Sequence, residues 1–155
     1  MLRLRQIKLA KNPFDDRAQR QAIKAALDTA ARGALADFER TTATWGSKPG
    51  FSVEENGEFE RVIGTDDENY QRIDEGTRPH VIVAHGKALA FASGHSAKSR
   101  PRVIGSGAGG KSGSVVFTKR VNHPGTDARE FSDVIAEKWE ALLAVEMEQQ
   151  LGGVG

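Results

Sequence analysis

Apolar residues recur at Ile23, Leu27, Ala30, Ala34 and Phe38, with Ala26 and Leu35 beside them. Spacings of three and four predict one buried stripe on a helix of about seven turns, starting near Asp15 and ending near Thr44. Asp15 and Asp16 supply a cap and first-turn negative charge, where the helix dipole favours them. Nine alanines between Ala18 and Ala43 keep the face thin, which suits close packing on a sheet or on a second copy. Gly46, Ser47, Pro49 and Gly50 stop the helix. A second helical period runs through Phe131, Val134, Ile135, Trp139, Leu142, Leu143 and Val145, with Glu and Lys on the outer face. Asp127 and Glu130 read as its capping box, and Gly152-Gly153 ends it.

Between the helices the pattern changes to that of strands. FSVEENGEFERVIG predicts two short strands about Asn56-Gly57, a dipeptide whose residues both tolerate positive φ. VIVAHGKALAF predicts two more flanking His85-Gly86, and SVVFTKRV another. TDDEN reads as a solvated turn without the spacing of a calcium loop. SGHSAKSRPRVIGSGAGGKSG, residues 93–113, is expected to be a flexible basic loop. The order is helix, about five strands, helix: a single α+β domain over residues 1–155 with an antiparallel sheet.

Composition narrows the picture. Of 155 residues 38% are hydrophobic and 28% charged, as in ordinary globular chains, and at 6% aromatic the core is expected to be mainly aliphatic. The absence of cysteine excludes disulfides and thiolate metal sites and agrees with a reducing compartment. MLRLRQIKLA is too short and too charged for a signal peptide, and no run approaches a membrane span. Charge is the informative quantity. From Gly76 to Thr126 there is no Asp or Glu, yet eight Lys or Arg and all four histidines lie there. The remaining 14 basic and 21 acidic residues leave −7 elsewhere. A segment purged of acids is expected to meet something negative: a polyanion, or the acidic surface of another subunit.

GSGAGGKS, Gly105 to Ser112, spells the phosphate-loop pattern G-x-x-x-x-G-K-[ST]. That motif binds phosphate only when the loop opens a helix, whose dipole and backbone N–H groups cradle the anion. Here Lys111-Ser112 runs into GSVVFTKRV, a β-branched stretch that should be extended, and no apolar strand ends in an Asp for magnesium. The match is read as accidental, and an NTP-binding protein is only a remote alternative. His80 and His85 with Asp74 and Glu75 fit no usual pair of metal ligands. No serine sits in a nucleophile-elbow context. No catalytic residue, cofactor or metal is therefore assigned.

Two stretches carry a resemblance: YQRIDEGTRPHVIVAHGKALAF, Tyr70 to Phe91, and VVFTKRVNHPGTDAREF, Val115 to Phe131. Together they resemble a family of small neck and tail-completion proteins of long-tailed bacteriophages and prophages, related in arrangement to minor tail protein Z of phage lambda. The similarity covers roughly residues 15 to 150. It implies a non-enzymatic virion part that forms a homo-oligomeric ring, hexameric in expectation, joining the tail tube to the head connector. Its place is tail completion, tail terminator or neck. Implied partners are copies of itself, the tail-tube protein and head connector or stopper proteins, with passing contact to genomic DNA. The implied location is the virion, after assembly in the host cytoplasm.

The residues make sense of these motifs physically. Gly76, Thr77 and Pro79 set a sharp turn into the VIVA strand, and Pro124 and Gly125 end a strand and turn the chain toward the last helix. Lys98, Arg100, Arg102, Lys111 and His123 are the candidate contacts to a neighbouring subunit or partner. The alternative reading is a DNA-binding module using the basic segment 78–120.

Overall fold

The computed structural model describes residues 2–4 and 17–152. In chain order the elements are β1 (Leu2–Leu4), α1 (Arg17–Thr42), β2 (Ser52–Glu55), β3 (Arg61–Gly64), α2 (Glu68–Asp74), β4 (His80–Val83), β5 (Leu89–Ser96), β6 (Gly110–Thr118), β7 (Arg120–His123) and α3 (Phe131–Gly152). Mixed helix and sheet, with a long first helix and a last one, is as the hydrophobic periods imply. The caps expected at Asp15 and Asp16 lie outside the described residues.

Helices α1 and α3 pack on each other, and Ala26, Ala30 and Ala34 are fully buried along α1. Small side chains let the helix axes approach, and Gly33 leaves the space that the Trp139 indole fills. The buried Asp37 carboxylate completes the seam, accepting from Arg40 (2.7 Å), Lys138 Nζ (2.5 Å) and Trp139 Nε1 (2.8 Å). Three donors, two of them cationic, offset the cost of taking that charge out of water.

The sheet against these helices has the order β1-β3-β2, all antiparallel. Asn56-Gly57 does turn β2 into β3, in a longer loop closed by Asn56 N to Glu60 O at 3.1 Å. Arg61 on β3, only 2% exposed, reaches Asp28 of α1 at 2.7 Å. Between sheet and helices, Phe38, Trp45, Phe51, Tyr70 and Phe131 form one aromatic cluster, with Phe51 and Tyr70 edge to face at 5.2 Å. Half of the ten aromatic residues thus gather at one point, beside Ala34, Ile63 and Ile135. Most of the buried hydrophobic residues are aliphatic, as the low aromatic content implies, and the buried aromatics gather at this one point.

The single sheet of about five strands is not what forms: among the described residues, seven strands make three small sheets. The four strands between residues 80 and 123 leave the body and pair only among themselves, β4 with β7 and β5 with β6. The acidic TDDEN segment is also no simple turn. Asp67 caps α2, accepting from Tyr70 N at 2.8 Å, and so directs Tyr70 into the aromatic cluster.

Burial pushes the Tyr70 phenol above its ordinary ionisation range, partly offset by the hydrogen bond to Ser132, with Asp74 adding a smaller upward push. A raised folded value means that the neutral phenol's contribution is fully present below the unfolded value, about pH 10, and is lost as pH rises beyond it. Tyr70 is the sole tyrosine, so tyrosinate absorbance follows it alone. Ionisation is expected to coincide with alkaline unfolding, and Tyr70→Phe to flatten the stability decline above about pH 10. A free, early titration of the intact protein would contradict this burial.

Candidate interaction surface

The two motifs that carry the resemblance meet at one node. Thr77 and Thr126 bridge through paired backbone bonds of 2.9 and 3.0 Å. Gly76 (φ +77) passes so close to the opposite strand that a Cβ would sit 2.6 Å from Thr126 O and 2.7 Å from Ala128 N. Gly125 (φ +93) lies as tightly against Thr77 and Arg78. His80 and His123 stack beside them at 4.9 Å, and His123 Nδ1 accepts from Gly125 N at 3.1 Å. Pro79 and Pro124 flank the crossing on its exposed side. One hydroxyl there, Thr77 Oγ1, is buried without a hydrogen-bond partner among the described residues.

Asp74 joins this node to the helical body. Its carboxylate accepts from Phe131 N (2.5 Å), Ser132 N (3.2 Å) and Ser132 Oγ (2.5 Å), and so caps α3 from 57 residues upstream. This replaces the capping box expected from Asp127 and Glu130. Glu130 instead takes a left-handed backbone (φ 53), which breaks the local geometry that such a box requires. Arg102 shares that conformation (φ 56), and its guanidinium binds Glu130 at 2.9 Å and Glu137 at 2.9 Å. Hydrogen bonds to Glu130 and then Glu137 hold the Arg102 pKa above its ordinary value.

From the node, residues 80–123 rise as a two-stranded ribbon. Its first half, β4–β7, runs to Ala84 N bonded to Lys119 O at 2.9 Å. Four extra residues then sit on one side, since the next pair is Leu89 with Thr118. The ribbon turns at this mismatch and folds back over itself. Its two halves enclose an open groove of about 410 Å³, with Ile82 and Val121 on one wall and Leu89 and Phe91 on the other. Alternation along each strand aims the neighbouring side chains outward. Val81 is 46% and Val83 58% exposed on one outer face, Val115 61% and Phe117 71% on the other.

The folded ribbon ends where the long basic loop was expected. Strands occupy residues through Ser96 and from Gly110, so the loop proper is 97–109 rather than 93–113. It lies on the C-terminal end of α1: Lys98 Nζ bonds Thr44 O at 2.6 Å, Ser106 Oγ bonds Arg40 O at 3.4 Å and Gly105 N bonds Thr41 Oγ1 at 3.1 Å. A lysine on terminal carbonyls sits where the helix dipole favours a cation. Of the candidate contacts, Lys98 and Arg102 are therefore engaged with their own chain. Arg100 and Lys111 are exposed and make no ion pair among the described residues, and His123 is half-buried in the node.

GSGAGGKS takes no phosphate-loop geometry. Lys111 pairs with His95 and Ser112 with Gly94 inside β6, and no helix follows. Two backbone donors of the loop are already taken, Gly105 N by Thr41 Oγ1 and Gly107 N by Lys98 O at 2.6 Å. Among the described residues no three His, Asp or Glu side chains gather as for a metal, and no helix is long and apolar enough to cross a membrane. Asp74 and the exposed valines of the ribbon were not singled out in the sequence. The unbroken VIV run was the available signal, since such a run belongs to a strand covered on both faces. Against protein families, curated proteins and solved structures the chain finds no match.

Two outcomes follow from this geometry. Gly76→Ala and Gly125→Ala each force a Cβ against backbone at positive φ, and each is expected to cost about 2–4 kcal/mol, roughly 5–10 °C in Tm. Gly86→Ala, in open space, should change stability by less than about 0.5 kcal/mol; equal effects in all three would refute the crossing. Calorimetric titration with Mg·ATP should show no binding heat, and a saturable isotherm abolished by Lys111→Ala would reverse the strand assignment.

Proposed function

We propose that this is a non-enzymatic structural protein of the head–tail interface of a long-tailed phage, which works as a closed ring of copies. The observation that carries the reading is the folded ribbon. A two-stranded ribbon is at best marginal alone, and one that exposes Val81, Val83, Val115 and Phe117 on both outer faces needs a covering partner. Charge supports a partner of the same kind: residues 76–126, the ribbon with its loop and root, hold eight Lys or Arg and no acid, whereas the rest of the chain is −7. A surface that fits a different surface on the next copy is heterologous, and such contacts close into rings when the rotation allows.

The resemblance carried by IDEGTRPH and VNHPGT supports the same conclusion, since those residues build the node from which the ribbon springs. In this reading the ring, hexameric in expectation, seats on the tail tube and receives the head connector or stopper, at tail-completion, terminator or neck position, with DNA passing through. It assembles in the host cytoplasm and ends in the virion. A second reading has a specific observation behind it. Arg78, Lys87, Lys119 and Arg120 make no ion pair among the described residues, as a DNA-binding ribbon would require.

Light scattering and electron microscopy separate the two. The purified protein is expected at a discrete multiple of 16.8 kDa, as rings with an axial opening that cap tubes of the tail-tube protein. A monomer that ignores the tube and instead binds duplex DNA, with affinity falling steeply as salt rises, would replace this reading by the second.

A further inference from the structure

Resting on the ring reading, the question is which two surfaces meet. Exposed apolar side chains concentrate in two places besides the first half of the ribbon. One is the outer face of β5–β6, where Val115 and Phe117 stand exposed just before the exposed Lys119. The other is the distal half of α3, where Leu142 is 38% and Val145 48% exposed, one helical turn apart. Glu146, one turn beyond Leu142, and the exposed Glu148, one turn beyond Val145, flank that pair. After Lys138 the chain holds no further Lys or Arg. Within one chain α3 packs on α1 and beside β1, while β5 and β6 pack on each other, so both patches are left uncovered by the described residues.

We propose that the β5–β6 face of one copy docks on the distal half of α3 of a second copy. Each patch has an apolar pair at its centre, and the charges around the two centres are opposite. Apolar contact supplies the affinity, and charge sets the pairing: two ribbons repel, as do two α3 ends, whereas ribbon and α3 attract. Because donor and acceptor surfaces differ, every bound copy still offers one of each. Assembly therefore propagates until it closes. Arg102 at Glu137 already shows the same sign pairing within the chain, between the loop and the proximal half of α3.

The test uses two variants of the full chain, Val115→Asp/Phe117→Asp and Leu142→Asp/Val145→Asp, all at exposed positions, with circular dichroism and Tm as controls for folding. Mass is read by light scattering and sedimentation. Wild type is expected as a closed multimer. Each variant alone is expected as a monomer, its self-association weakened at least about 100-fold by loss of two central apolar groups. An equimolar mixture is expected to give a one-to-one dimer and nothing larger, because one intact ribbon then meets one intact α3. Wild-type assembly in either variant overturns this pairing and leaves the ring reading standing. So does a mixture that stays monomeric, since an intact ribbon then fails to bind an intact α3. A wild type monomeric alone and with tail tubes overturns both. As an independent check, Lys119→Glu and Glu148→Lys should each weaken assembly and restore it when combined in one chain. If the combined variant is no better than either parent, the charge pairing is wrong.

Discussion

The architecture depends on one carboxylate. Asp74 ends α2, and its side chain accepts three hydrogen bonds at the start of α3, while its backbone carbonyl takes Arg129 N and Glu130 N at 3.0 Å each. Charge-assisted bonds of this sort contribute about 1.5–3 kcal/mol each, and a negative charge there also complements the helix dipole. The consequence is geometric as much as energetic. Two residues on, Gly76 and Thr77 cross Thr126, so the carboxylate that starts α3 also fixes the root of the ribbon. A ribbon with no sheet behind it takes its direction from its root.

The second constraint is that the ribbon is held at both ends. Its far loop returns to α1, where Lys98 and Ser106 satisfy carbonyls that the helix end leaves open, and Arg102 grips α3 through Glu130 and Glu137. Glu130 and Arg102 both hold left-handed backbones and bond to each other, so neighbouring contacts maintain the strain of both. Some of the cations that the charge pattern offered to partners thus serve the fold. What remains for assembly is the ribbon's outer surface with Lys119 and Arg120.

Local signals in the sequence reached local structure and stopped there. The α1 stripe is buried at Ile23, Leu27, Ala30, Ala34 and Phe38, and α3 starts at Phe131, because 3.6-residue periodicity is a property of one helix. Both motifs could be read as turn hardware, yet nothing in either says that they cross each other. The cap of α3 was misassigned for the same reason, since an Asp 57 residues away leaves no mark on the period around Asp127. The sheet count failed at His85 to Ala88, where four unmatched residues split the strand pattern into the two halves of the ribbon. Gly94, Gly110 and Gly113 hid strand ends inside an apparent linker, because strand propensity is low in glycine even where pairing holds it.

That last point also explains why a phosphate-loop spelling occurs without a phosphate site. The loop must leave β5, cross the end of α1 and re-enter β6 within residues 97–109, and a Cβ at Gly109 would run into the backbone of Ser96 and Ala97. Gly105 turns the chain at φ +114 just as its N–H reaches Thr41. Glycine is demanded here by the nearness of protein backbone, as in a true phosphate loop it is demanded by the nearness of an anion. Lys111 and Ser112 then belong to the strand that follows, and their residue types carry charge and polarity to an exposed face rather than to a nucleotide. Close approach is the common physical cause, and only the element after the serine, a helix or a strand, decides which partner it serves.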